Sequence, residues 1–227
     1  MKTIAQYSLK ELREHTIDVL REGQGTRPDV LLVEIGGVRA VLKDQNACDR
    51  WFAMLVGPLL TWREARALVR LKKVSGIPVL LARPDARSVL IEYAEAIEAK
   101  SYPHIEDWQA WFDSLERLIR RMHTAGIAHG DLRSPGNILI DKNANPVLVD
   151  FVASSGKGSS WNYVANAVFR GLCAVDESAV LKLKSKIVPD LLPDPTVSTH
   201  VGGRPGLVLR AIGQLVRRLS RLLFTSK

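Results

Sequence analysis

The chain has 227 residues, a formal net charge of +8 and 46% apolar against 25% charged side chains. That length and apolar share suit a single two-lobed domain with a sizeable core, and they exclude an intrinsically disordered chain. Cys48 and Cys173 lie far apart without metal-ligand spacing, which excludes a disulfide scaffold and reads as reduced thiols of a cytosolic protein; the basic balance favours anionic partners such as nucleotides, phosphorylated glycans, anionic lipid or nucleic acid.

The opening MKTIAQYSLKELREH has no apolar signal core. Ser8-x-x-Glu11 is a capping box and predicts a helix running to about Arg21. The stretch 22–28 reads as a loop. VLLVEI and VRAVLK, joined by Gly36-Gly37, predict a hairpin over 30–43. The longest apolar run, 51–60, is too short to span a bilayer. A helix is expected over 61–73, then strands over 77–82 and 88–94.

Over 105–125, Trp108, Trp111, Phe112, Leu115, Leu118, Ile119 and Met122 recur at three- and four-residue spacing, the clearest helical period in the chain. Gly126 is its expected stop. Two short strands follow, 137–140 and 146–151, around a polar DKNAN turn. Helices are expected over 161–173 and 177–186, and a basic helix near 205–224 after a Pro-rich stretch. There Arg210, Gln214, Arg217 and Arg221 share one face and Val208, Ile212, Leu215, Leu219 and Leu222 the other, a pattern suited either to packing or to an anionic membrane surface. Trp51, Trp62, Trp108 and Trp111 read as core or interlobe packing.

The segment that carries chemistry is HTAGIAHGDLRSPGNILIDKNANPVLVDFV, residues 123–152. It sets H-G-D-L after the long helix, an Asn at the start of the next strand and D-F at the end of the one after. This resembles the catalytic core of the protein-kinase superfamily, H-R-D-L-x-x-x-N followed by D-F-G. Phosphoryl transfer passes through a spread-out anionic transition state, so catalysis is mostly positioning and charge neutralisation. It needs a carboxylate near the acceptor hydroxyl and hard oxygen ligands for Mg²⁺.

The resemblance implies an α+β, two-lobed protein-kinase-like fold: a small β-rich N-lobe over 1–94, a hinge over 95–104 and a reduced helical C-lobe over 105–227. It implies ATP and Mg²⁺ as ligands. Asp131 would orient or deprotonate the acceptor hydroxyl, Arg133 would meet the transferring phosphate, and Asn137 and Asp150 would hold the metal. His129 would brace the turn. Val41-Leu42-Lys43 resembles the strand whose lysine binds the α- and β-phosphates, with Glu64 as its partner. Glu92-Tyr93-Ala94 resembles the hinge that binds adenine, which makes Glu92 and Ala94 cofactor-binding positions. The interval from Asp131 to Asn137 is one residue longer than in the kinase pattern, and Pro135-Gly136 is expected to absorb it as a bulge. Gly130 replaces the usual Arg, and Val152 replaces the Gly of D-F-G. Neither a G-x-G-x-x-G loop nor a Walker A motif is present.

The H-G-D-L form and the short tail resemble the bacterial lipopolysaccharide core kinases (the Kdo kinase group) and the RIO-type atypical kinases. Three functions follow as expectations. The first is ATP-dependent phosphorylation of a sugar hydroxyl on a lipopolysaccharide-type glycolipid. The second is a RIO-like serine/threonine protein kinase or ATPase. The third is a non-catalytic nucleotide-binding scaffold. The first implies a cytoplasmic protein peripheral to the inner face of the cytoplasmic membrane. No nucleic-acid partner is expected.

Overall fold

The computed structural model describes residues 2–102 and 105–191. These divide into two compact units, one ending at Lys182 and the other starting at Leu183. The described part of the second unit is the end of a long helix and a 3₁₀ turn, Pro189–Leu191. The basic stretch 205–224 and the histidines His104 and His200 lie outside the described residues.

The first unit opens with α1 (Leu9–Glu14), capped by Ser8 and Glu11 as the sequence predicts. The helix stops earlier than expected. β-Branched Thr16 and Ile17 open a strand, β1 (Thr16–Arg21), that pairs antiparallel with β2 (Asp29–Ile35). β2 and β3 (Val38–Asp44) form the expected hairpin, with Ile35 opposite Val38 and both Gly36 and Gly37 at positive φ. β3 then pairs with β5 (Ser88–Glu92), which pairs with β4 (Leu80–Asp85), giving the sheet order β1-β2-β3-β5-β4.

The two-residue period of β3 decides what each face does. Ala40 and Leu42 are buried with Leu31, Val33, Leu90 and Leu12 of α1. Val41 and Lys43 point the other way, beside Val30 and Ile91, which line the same cleft. Between β3 and β4 lie α2 (Arg50–Leu55) and α3 (Gly57–Leu71), which together are longer than the predicted 61–73 helix because Pro58 sits in its first turn, where a missing N–H costs nothing. Trp51 and Trp62 are exposed, which corrects their reading as packing residues; Trp111 is buried as expected.

β6 (Ala96–Glu98) lies within the predicted hinge stretch and pairs with β8 (Ile138–Asp141), which pairs with β9 (Pro146–Leu148). α4 (Trp108–Thr124) buries its predicted stripe from Trp111 to Met122. A two-residue ribbon joins β7 (Ile127–Ala128) to β10 (Ser155–Gly156). The two helices expected over 161–186 are one, α5 (Tyr163–Ile187). No helix among the described residues is long and apolar enough to cross a membrane.

Candidate active site

A cleft of about 600 Å³ runs between the five-stranded sheet and the β8–β9 ribbon. Lys43, Glu64, Glu92, Ala94, Asn137 and Asp150 all line it, so six of the eight sequence-predicted site residues meet in one cavity. Lys43 Nζ donates to Glu64 Oε1 at 2.6 Å and to Asp150 Oδ1 at 3.0 Å. Glu64 also accepts the backbone N–H of Phe151. Burial alone would lower the Lys43 pKa, but the two carboxylates outweigh it and hold the ammonium above its ordinary value. Burial lifts the Glu64 carboxyl, opposed by Lys43. Asp150 is also pushed up by burial, but the Lys43 charge wins and leaves it below the usual carboxylate range.

Asp150 sits at φ 67°, ψ 71°, a left-handed conformation unusual for a residue with a Cβ. Strain of this kind persists only where surrounding structure over-determines it. Here the flanking residues supply the hold: Phe151 is buried against the His129 ring at 4.7 Å, and Val149 N–H donates to the Asn137 carbonyl at 3.1 Å. Arg63 on α3 ties down the chain beyond by donating to the carbonyls of Ala153 and Ser154 at 3.1 and 2.7 Å.

Asp131 stands at the mouth of the loop before β8 and accepts from Ser134 Oγ at 2.8 Å. The extra residue before Asn137 is absorbed by a 3₁₀ turn, Pro135–Asn137. That turn brings the Asn137 amide back to Asp131, with Nδ2 at 2.8 Å from its carbonyl oxygen and 3.3 Å from Oδ2. Arg133 points elsewhere: it is exposed and donates to Ser178 Oγ on α5 at 3.1 Å.

His129 is fully buried, and burial holds its pKa below the ordinary value, so the ring is neutral near pH 7. Nε2 lies 2.9 Å from the Val149 carbonyl, which can only accept. The proton is therefore on Nε2, and Nδ1 accepts from the Asp131 N–H at 3.4 Å. One neutral ring thus spans the Asp131 loop and the strand that leads into Asp150.

No protein-family model and no curated protein matches the sequence. Solved structures do match. One is the Rio2 kinase from Chaetomium thermophilum, at TM-score 0.60 and 18% identity over 81% of this chain and 62% of that one. Another is the Rio2 kinase–ADP/Mg²⁺–phosphoaspartate complex from the same organism, at TM-score 0.59 and 19% identity over 81% and 60%. The chain has a protein-kinase-like fold. It spans about three fifths of the length of the structures it matches.

A buried carboxylate behind the Asp131 loop was not among the residues expected from the sequence. Asp176, in the middle of α5, is completely buried. It accepts the backbone N–H groups of His129 and Gly130 at 2.7 and 2.8 Å, and its Oδ2 lies 3.1 Å from His123 Nε2. Nothing in residue type singled it out: it stands beside Glu177 and Ser178 in GLCAVDESAVL, and two of its three partners are backbone groups.

The cleft's donors fit Mg²⁺. The ion prefers hard oxygen ligands, keeps several waters and takes one or two protein groups together with substrate phosphates. Asp150 and Asn137 offer a carboxylate and an amide side chain on one wall of the cleft. Among the described residues no group of three His, Cys, Asp or Glu side chains gathers to form a cage of protein ligands.

Proposed function

We propose that the chain is an ATP-dependent phosphotransferase that moves the γ-phosphoryl group to an alcohol, with a sugar hydroxyl of a lipopolysaccharide-type glycolipid as acceptor. The observation that carries the reading is Lys43: it reaches across from the sheet to within 3.0 Å of Asp150 while Glu64 holds it charged. A lysine poised so can exchange its carboxylate partners for the α- and β-phosphates. Backbone groups of Glu92 and Ala94, which line the cleft, would hold the adenine edge.

In this reading Asn137 and Asp150 hold Mg²⁺, which supplies charge neutralisation on the phosphates when bound. Asp131 accepts a hydrogen bond from the acceptor hydroxyl and takes its proton as the oxygen bonds to γ-phosphorus. The bond from γ-phosphorus to the β-bridging oxygen breaks, and ADP leaves. Arg133, whose partner is the Ser178 hydroxyl, would turn to meet the transferring group. A position on the inner face of the cytoplasmic membrane belongs to the same reading, and for the 205–224 segment it rests on the sequence pattern alone.

A second reading, a RIO-like protein kinase or ATPase, is favoured by the neighbour solved as an ADP/Mg²⁺–phosphoaspartate complex. One assay separates the readings: ATP labelled on the γ-phosphate, with purified lipopolysaccharide core, with generic protein, and with no acceptor. The glycolipid reading expects label on the core, lost with EDTA and lost in Asp150→Asn. Label on the protein substrate, or an acid-stable, hydroxylamine-labile label on the chain itself, gives the second reading. Equal, background-level turnover by wild type and Asp150→Asn leaves a nucleotide-binding scaffold.

A further inference from the structure

The outer face of α2 and α3 is apolar. Trp51, Met54 and Leu55 of α2 are 40, 57 and 75% exposed; Leu59 and Trp62 of α3 are 54 and 45% exposed. Their spacing, i, i+3, i+4 on α2 and i, i+3 on α3, sets each group on one side of its helix. The opposite side of α2 holds the buried Phe52 and Ala53, packed with Cys48. Val56 alone separates the two helices, so the exposed groups adjoin. Scattered exposed apolar residues are ordinary, but a cluster of two Trp, two Leu and one Met marks an interaction surface.

Charge says what it meets. From Arg50 to Lys73 the sequence carries six cations and a single acid, Glu64. Glu64 is 2% exposed and is spent on Lys43. Arg50, Arg66, Arg70, Lys72 and Lys73 are exposed, and the Arg66 guanidinium lies 5.1 Å from the Trp62 ring centroid. The face therefore offers a hydrophobic patch with mainly cationic flanks: against five exposed Arg and Lys side chains it sets one exposed carboxylate, Asp49 at the N-cap of α2. A second copy of this chain, at net +8, or its own basic 205–224 stretch would bring like charge to it.

We propose that the α2–α3 face docks on an anionic lipid surface, with both helices lying in the plane of the membrane. Trp51, Met54, Leu55, Leu59 and Trp62 enter the boundary between headgroups and acyl chains, where Trp is favoured, and the flanking Arg and Lys side chains meet lipid phosphates. The inference is independent of phosphotransfer. It nonetheless places on the docking element the helix that carries Glu64 and Arg63.

The test is co-sedimentation of the full chain with vesicles of phosphatidylcholine alone and of an equal mixture with phosphatidylglycerol. Binding to the mixed vesicles, weakened by added salt, is expected. Met54→Ser combined with Leu55→Ser changes exposed positions, so the melting temperature should hold while partitioning falls about tenfold or more. Arg66→Glu should weaken binding to the mixed vesicles only. Arg217→Glu with Arg221→Glu, in the C-terminal stretch, is the control. The proposal is overturned if the Met54/Leu55 variant partitions like wild type, if only the Arg217/Arg221 variant loses binding, or if the wild type ignores anionic vesicles at low salt.

Discussion

Lys43 and Asp131 are both held in place by carboxylates, but in opposite ways. Glu64 and Asp150 grip the lysine through its own side chain, at 2.6 and 3.0 Å. Asp176 grips the Asp131 loop through main-chain N–H groups, at 2.7 and 2.8 Å, and never touches the Asp131 side chain. A side-chain ion pair can trade partners when an anionic phosphate arrives, because the ammonium stays charged throughout. A main-chain anchor has no such alternative; it fixes where the loop runs and leaves the Asp131 carboxylate to its own partners, Ser134 and Asn137. On the proposed function, the Lys43 contacts would exchange while the Asp131 loop would stay put.

The sharpest test of that division is Asp131→Asn. Asn retains an oxygen to accept from Ser134 but cannot take a proton, so the loop should hold while chemistry suffers. We expect kcat of the phosphotransfer to fall by about 10²–10⁴, the usual scale for a general base, with the melting temperature nearly unchanged. Steady-state kinetics beside calorimetry checks both. A variant that loses stability and keeps kcat would reverse the roles assigned to Asp131 and its anchor.

Asp176→Ala should do the converse. It strands the buried His129 N–H, the part-buried Gly130 N–H and the part-buried His123 ring without an acceptor, losses of the order that unsatisfied groups cost on burial. Together these come to about 3–5 kcal/mol, or a fall in melting temperature of roughly 10–15 °C for a domain of this size. Asp176→Asn, with one acceptor oxygen left, should fall between. If Asp176→Ala melts with the wild type, the loop owes its position to something else, and the contrast with Lys43 is lost.

The same contrast explains what could be read in the sequence. The meeting of Lys43, Glu64, Asn137 and Asp150 in one cleft was legible because their types and order follow a known chemical pattern, with one extra residue before Asn137, and the period of β3 turns Lys43 to the cleft face. Asp176 was not legible, because its partners are backbone groups 46 and 47 residues away that leave no trace in residue type. Arg133 was legible as a cation but not as a direction, since only the loop's path sends it to Ser178. The early end of α1 was hidden because the capping box marks where a helix starts and says nothing of where a strand-forming Thr16-Ile17 takes over. The exposure of Trp51 and Trp62 was hidden for a related reason: aromatic residues predict burial on average, and only the placement of α2 beside α3 decides which face is left outside.

Gly130 gives the smallest test and the one most local to the anchored half. It sits at φ +81°, and a Cβ there would lie 3.0 Å from the Ala153 carbonyl oxygen and 3.4 Å from Leu172. The backbone oxygen cannot swing aside as a side chain would, and the left-handed conformation strains any residue bearing a Cβ. Gly130→Ala should therefore cost about 1–2 kcal/mol from the conformation alone, read as a shifted denaturation midpoint with unchanged slope. Because the Gly130 N–H is also one of the two that Asp176 accepts, the loss should shrink in an Asp176→Ala background, where the loop is already released. Full additivity of the two substitutions would mean that Gly130 is needed only for its own turn, and that the anchor and the glycine act independently.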